Sequence, residues 1–360
     1  MPADNRIPVG VLGATGSVGQ RFIRLLDRHP WFRVTAVTAS ERSEGRPYDE
    51  AVNWAQDEAI PPGVAALPVL PTAVGPDVPI VFSALDSSVA GRVETAFAAA
   101  GVMVVTNARN HRMDPDVPLL VPEVNSAHLA LLEAQAFPPG GGIIANPNCS
   151  TIGLVVPLQA LHMAFGVRRV NVVTLQAISG AGIPGVSSMA ILDNVVPFIS
   201  GEEDKLETET RKILGKLAGR AIEEAPIEVS AQCTRVPVLD GHLEMVSLEL
   251  GDRPSAAEVA EVLAGFRGGR WEFELPSAPK RVIHVLDGPD HPQPRLHRDL
   301  EGGMAVSVGR IRECPILGIK MAVLSHNTVR GAAGGAILCA EIAVAEGRID
   351  GVGIPGAGSG

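Results

Sequence analysis

The chain of 360 residues is poor in cysteine, in long apolar runs and in positive charge. Its four cysteines, at 149, 233, 314 and 339, are scattered and make no CxxC pair. That pattern offers no zinc site and suits a reducing compartment, so the cytoplasm is expected and no metal. No apolar run approaches the length of a membrane span. No basic segment followed by an apolar one opens the sequence, so neither secretion nor a membrane partner is expected. The net charge is −10 at pH 7, which speaks against a nucleic-acid partner. Internal repeats are lacking, and the only biased segment is the glycine-rich end, expected to fray. What is present is apolar material, 46% of the residues, enough for packed cores and against disorder. The length exceeds one ordinary core, so two domains are expected.

The first half alternates strand and helix. Pro8–Gly13 reads as a short apolar strand, and Phe22, Ile23, Leu25 and Leu26 as a helical stripe. Between them, Gly10, Gly13, Gly16 and Gly19 recur every third residue. Glycines at a strand-to-helix junction let a pyrophosphate approach the helix N-terminus. The competing reading is an ordinary tight turn. Phe32–Ala39 reads as a second strand, followed by Ser40-Glu41-Arg42-Ser43. Tyr48–Gly75 shows no clear element. Ile80–Ser83, a helix at Val89–Ala100, Met103–Thr106 and a helix from about Ser126 to Ala136 continue the alternation, which predicts a parallel, doubly wound sheet. Ser83-Ala84-Leu85 lies at a strand's C-terminal end, where such sheets bind ligands. Arg112, in a polar loop, suits an oxyanion; His111 beside it reads as solvated.

Asn146-Pro147-Asn148-Cys149-Ser150-Thr151 organises the chain. It follows the apolar run Ile143-Ile144-Ala145 and precedes a helical stretch that continues toward Met163. Cys149 is expected at the strand-to-helix turn, where free amides and the helix dipole favour a thiolate. The plainer reading is a buried structural cysteine.

Beyond Cys149 the pattern changes. Arg169–Ile178, Glu228–Gln232, Leu243–Leu250, Ala305–Ile311 and Ile316–Leu324 read as strands of antiparallel type. Ser187–Phe198 and Ala256–Phe266 read as helices. Glu202–Lys212 starts a helix running to Leu217, and its charges predict a solvated face. Together these suggest an α+β second domain. Thr328–Glu346 is a helix rich in small residues, expected to pack back on the first domain. His284, His291 and His297 have no zinc spacing and read as solvated.

In this order the motifs resemble the aspartate-β-semialdehyde dehydrogenase family, over nearly the whole chain. GATGSVG is similar to its cofactor loop, Asn148-Cys149 to its nucleophile motif, and Gln176 to its active-site glutamine. Arg235-Val236-Pro237-Val238-Leu239-Asp240-Gly241-His242 resembles its R-V-x-x-x-x-x-H segment, most closely in the archaeal and fungal branch. The resemblance implies a Rossmann-type α/β domain over 1–148, with 326–360 packing back on it. An α+β catalytic and dimerisation domain of the glyceraldehyde-3-phosphate dehydrogenase-like kind is implied over 149–325. It implies Cys149, His242 and Gln176 as catalytic residues. Arg112 is implied for phosphate and Arg235 for the substrate carboxylate, with Asn148, Glu202 and Lys205 also at the substrate. Which of Glu202, Glu203 and Asp204 faces the substrate is open. The implied cofactor is NADP, held by Gly13, Thr15, Gly16, Ser17, Val18, Ser40, Arg42, Ser43, Ser83, Ala84, Leu85, Ser179, Gly180 and Asn327.

The implied reaction converts aspartyl phosphate to aspartate semialdehyde and phosphate through a Cys149 thioester, on the route to lysine, threonine, methionine and isoleucine. His242, with an ordinary pKa near 6.5, is expected to take and return the proton. Asn148 and the Cys149 amide are candidate oxyanion donors. The implied assembly is a homodimer or homotetramer. The competing enzyme is a malonyl-CoA reductase on the same scaffold; the competing non-enzyme is an inactive, cofactor-binding relative.

Overall fold

A computed structural model describes residues 4–75, 77–269 and 274–355. The glycine-rich end at 356–360 lies outside them. Six strands form a parallel sheet: β1 (Ile7–Leu12), β2 (Phe32–Thr38), β3 (Val69–Leu70), β4 (Ile80–Ser83), β5 (Met103–Thr106) and β6 (Gly142–Ala145). Their order is β3-β2-β1-β4-β5-β6. The strands β4, β5 and β6 are buried at every position, as a sheet covered on both faces requires. From β1 the chain winds outward to β2 and β3 on one side, then crosses back to β4, β5 and β6 on the other. That reversal opens a crevice at the carboxyl ends, between Leu12, Thr38 and Ser83.

After the central helix Cys149–Phe165 come β7 (Val167–Gln176), the hairpin β8 (Lys216–Ala218) with β9 (Ala221–Glu223), β10 (Glu228–Arg235), β11 (His242–Leu250), β12 (Ile283–Leu286), β13 (Val306–Cys314) and β14 (Gly318–Ser325). Apart from the hairpin they form a second sheet, ordered β10-β7-β11-β14-β13-β12. It is mixed rather than wholly antiparallel, because β10 runs parallel to β7 and β12 parallel to β13. The central helix is apolar on all sides and buried from Ser150 to Leu158, so it forms the core over this sheet. A final helix, Gly334–Ala345, enters through a wide turn at Val329–Ala333 and packs into the core of the first sheet. The buried pair of Arg330 and Glu123, two bonds at 2.5 and 2.8 Å, anchors its start.

Several expected elements differ. The stretch Ser187–Phe198 is helical only over Ser188–Ile191. Asp193, at φ 56°, and Pro197 stop it, and Met189, Leu192, Val195 and Phe198 stay exposed. The helix after Pro122–Asn125 is a tight three-residue-per-turn coil over Ser126–Ala134. Tyr48–Gly75 is ordered after all: it holds helical turns at Tyr48–Ala51 and Pro62–Ala65 as well as β3. Tyr48 is fully buried and its hydroxyl donates to the Ala14 carbonyl. The charged helix ends at Ile213, not Leu217, and its polar face is not solvated. Glu202, Glu209 and Lys212 are buried because loops from the first sheet cover them.

Candidate active site

Gly13 adopts φ 73°, and a Cβ there would lie 2.7 Å from the Ala84 carbonyl oxygen. Only glycine fits such a turn. The helix Ser17–Leu26 follows, with Gly16 at its N-cap and no side chain capping its amides. This cradle fits a pyrophosphate. Ser17, Val18 and Leu85 line one end of a cleft of about 380 Å³ whose other end holds Cys149. Thr15 and Ala84 belong to the same turns. Ser40, Glu41 and Arg42 are exposed beyond β2, and Ser43 is buried. Ser83 ends β4 at the crevice, with its side chain turned inward. It is fully buried, and its hydroxyl donates at 2.5 Å to Glu94, which also accepts from Thr106.

Cys149 begins its helix, as its sequence position predicts. Asn148 caps that helix: its Oδ1 accepts from the amides of Ser150 at 3.0 Å and Thr151 at 3.3 Å. Its Nδ2 donates to Glu202 at 2.8 Å. Two of the amides expected to favour a thiolate, those of Ser150 and Thr151, are therefore already used. Burial, and then the nearby charge of Glu202, push the Cys149 thiol up to about 12. Arg112, Arg235 and Lys205 pull the other way, and the residue keeps partial exposure to the cleft. Burial thus works against the easily ionised thiol that the position predicts.

His242 starts β11 beside Ser325 of β14, and the pairing of Leu243 with Leu175 brings it alongside Gln176. Its Nε2 lies 3.2 Å from Cys149 Sγ. Burial lowers its pKa to about 3, so the expectation of an ordinary value is corrected as well. Gln176 is paired with Arg235 in register and bonds Thr174 and Glu202. Arg235 donates to the Ala177 carbonyl at 2.8 Å, and its backbone pairs in both directions with Val196. Gly180 packs so close that a Cβ would be 2.9 Å from Arg235 Nη1 and 3.3 Å from the His242 ring. Asn327 ties Ser179 Oγ to the Gly241 amide, both at 2.8 Å.

Of the three consecutive acids, Glu202 lines the cleft. Glu203 accepts from the Cys233 amide, and Asp204 is exposed. Burial opposes ionisation of Glu202, but Lys205 at 2.9 Å and bonds from Asn148 and Gln176 outweigh it and hold its carboxyl low. Arg112 is buried, donates to Glu209 and to the Asn107 carbonyl, and keeps Nε without a partner. Two residues escaped the sequence reading. Glu209 lies inside a charged run that reads as a solvated face. Gly331 lies where a Cβ would come within 2.7 Å of Cys149 Cβ, a contact across 182 residues with no local signal. His111 is half-buried against Asp114 rather than solvated. His284, His291 and His297 are also half-buried, His284 near Glu301 and the other two rings 4.5 Å apart. Among the described residues no cluster is arranged to hold a metal, and no helix is long and apolar enough to cross a membrane.

A parallel sheet with a glycine cradle, joined by a mixed sheet to a cysteine–histidine pair, defines a nucleotide-dependent dehydrogenase with a cysteine nucleophile. The chain belongs to the semialdehyde dehydrogenase family: its NAD binding domain matches residues 8–132 and its dimerisation domain residues 158–330. Within that family the chain stands with the aspartate-semialdehyde dehydrogenases and is an oxidoreductase. It is 52% identical to the one from Archaeoglobus fulgidus, over 95% of this chain and 99% of that one. It is 51% identical to the one from Candida albicans, over 92% and 96%. The crystal structure of the Candida albicans enzyme with NADP superposes with TM-score 0.88 at 48% identity, covering 96% of this chain and all of that one. A Vibrio cholerae aspartate semialdehyde dehydrogenase II gives TM-score 0.75 at 29% identity, covering 94% and 98%.

Proposed function

We propose that the chain reduces L-aspartyl 4-phosphate with NADPH to L-aspartate 4-semialdehyde and phosphate, reversibly, in the route to lysine, threonine, methionine and isoleucine. The single observation that carries this reading is the cleft itself. There Cys149 and His242 meet at 3.2 Å between a glycine cradle and three cations, Arg112, Arg235 and Lys205.

Arg235 binds the substrate carboxylate, Glu202 its ammonium group, and Arg112, which lines the cleft, the phosphate. Lys205 steadies Glu202. Cys149 attacks the acyl carbon; the carbon–oxygen bond to phosphate breaks, and the thiol proton leaves with the phosphate. A thioester remains on Cys149. Bound NADPH supplies the hydride that takes the thioester to the aldehyde level. His242 donates a hydrogen bond from Nε2 to the oxyanion that forms, and when the carbon–sulfur bond breaks the sulfur regains a proton drawn from solvent through the cleft. Gln176 orients the substrate from the adjacent strand.

Gly13, Thr15, Gly16, Ser17, Val18, Ser83, Ala84 and Leu85 would hold the cofactor, with Ser179, Gly180 and Asn327 at the catalytic end. Ser40, Arg42 and Ser43 hold the 2′-phosphate. Sheet membership supports domain limits at 1–148 and 149–325, with the segment from 326 returning to the first domain. The chain forms an oligomer, and a homodimer or homotetramer fits the exposed apolar segment of Met189, Leu192, Val195 and Phe198. The four free cysteines support the cytoplasm.

The deciding assay compares phosphate-dependent oxidation of aspartate semialdehyde with CoA-dependent oxidation of malonate semialdehyde. The first is expected, with NADP, and it should vanish in Cys149→Ser by several orders of magnitude. CoA-dependent activity alone, or a serine variant with more than roughly a tenth of the wild-type rate, would overturn the reading.

A further inference from the structure

Glu209 is a buried carboxylate that the chemistry above does not use. It is 2% exposed, and both of its oxygens are engaged. Oε1 accepts from Arg112 Nη1 at 2.9 Å, and Oε2 accepts from the backbone amide of Asn148 at 2.7 Å. One side chain thus joins the guanidinium that faces the anion to the residue that precedes Cys149 and caps its helix. We propose that Glu209 is a positioning residue that couples anion binding at Arg112 to the placement of the nucleophile. The proposal rests on the reading that Arg112 takes the substrate phosphate.

The helix Glu202–Ile213 is built for this. Glu202, Lys205, Glu209 and Lys212 recur at spacings of three and four, so they share one face. Lys212 Nζ donates to the carbonyls of Arg112 at 2.8 Å, Asp114 at 2.7 Å and Val117 at 3.0 Å. Lys212 therefore fixes the backbone of the arginine loop, and Glu209 fixes the arginine side chain. With Nη1 on Glu209 and Nη2 on the Asn107 carbonyl, the guanidinium is held at two corners. Its Nε is buried without a partner, and the residue lines the cleft. An anion arriving at Arg112 meets a preorganised group, and any shift it causes is carried through a rigid carboxylate to Asn148.

A carboxylate is required because two donors converge on it. Glutamine has one acceptor oxygen and an NH2 group, which must face either Arg112 or the Asn148 amide, donor against donor. Glu209→Gln therefore loses one of the two links, while Lys212 still holds the loop.

The test uses the full chain as wild type, Glu209→Gln, Arg112→Ala and the double variant. It measures KM for inorganic phosphate, KM for aspartate semialdehyde, and the single-turnover rate of NADP reduction without phosphate. We expect Glu209→Gln to raise the phosphate KM about tenfold or more, since a charge-assisted contact is lost. It should slow the single turnover severalfold, leave the semialdehyde KM within about threefold, and add no further phosphate effect in the Arg112→Ala background. Unchanged phosphate KM and single-turnover rate in Glu209→Gln would overturn the proposal, as would fully independent effects of the two substitutions. If Arg112→Ala leaves the phosphate KM unchanged, it is the phosphate assignment that fails. The link to Asn148 then stands or falls on the single-turnover rate of Glu209→Gln. Should the glutamine variant not fold, Glu209→Asp keeps the charge one methylene short and is read by the same measurements.

Discussion

His242 Nδ1 accepts the backbone amide of Ala177 at 3.0 Å. An acceptor at Nδ1 assigns the ring's proton to Nε2, the atom that faces Cys149. The ring therefore points a donor at the sulfur. To become a cation it would have to give up the Ala177 bond and carry charge in a fully buried position. Burial is what chiefly holds its pKa down, and the amide bonded at Nδ1 acts in the same direction.

A pH dependence follows, and its sign is fixed. The folded pKa, about 3, lies below the ordinary 6.5. The neutral ring's contribution to stability is complete above about 6.5. It is lost as pH falls through that value toward about 3, because the unfolded chain binds the proton first. Thermal unfolding of the wild type and of His242→Gln, followed from pH 7.5 down to 4, should diverge. The wild type should lose more, by at most about 1.4 kcal/mol per pH unit. Parallel curves would show that His242 titrates normally and that the Ala177 bond does not control it.

The motifs that bind chemistry were legible because each is local. A glycine loop between strand and helix, a cysteine at the next such junction, and an arginine seven residues before a histidine all declare themselves in one stretch. The apolar strands β4, β5 and β6 were legible for the same reason. What stayed hidden depends on partners far along the chain. Glu202, Glu209 and Lys212 look like a solvated face until loops from the first sheet close over them. Ser83 looks like a ligand at a strand end, but Glu94 on the following helix draws its hydroxyl inward. The thiol's resistance to ionisation also depends on partners out of local view, on burial first and then on the charge of Glu202. The apolar residues of Ser187–Phe198 mimic a helix stripe, yet the segment runs open past Arg235.

Arg235 is held for a planar task. Its backbone is clamped to Val196 in both directions, Nη1 is tied to the Ala177 carbonyl, and Gly180 leaves room for that same nitrogen. Lysine keeps the charge but cannot bond Ala177 and still present a fork to a carboxylate. Arg235→Lys should lose about 2–3 kcal/mol of transition-state binding, read as kcat/KM for aspartate semialdehyde. Cofactor affinity should barely change, because Arg235 stands at the substrate end of the cleft. A variant with unaltered kcat/KM would remove Arg235 from substrate recognition.

The remaining prediction concerns the choice between NADP and NAD. NAD sites commonly place an acid at the end of the second strand, bonding the ribose 2′-hydroxyl. Here β2 ends at Thr38, and the chain turns through Ser40, Glu41, Arg42 and Ser43 beside the glycine cradle. Glu41 is the acid in reach by sequence, yet it lies on the exposed side of the turn next to Arg42. An exposed guanidinium and the Ser40 hydroxyl suit a phosphate dianion, which a carboxylate directed at the ribose would repel. Arg42→Ala should therefore weaken NADP by roughly 10- to 100-fold, the span of one hydrogen bond to a charged group. NAD binding should change little, since the 2′-hydroxyl offers Arg42 no charge. Titration of both cofactors into both proteins separates the cases. Equal weakening of the two would mean that Arg42 only shapes the turn, and a wild-type preference for NAD would give the role to Glu41.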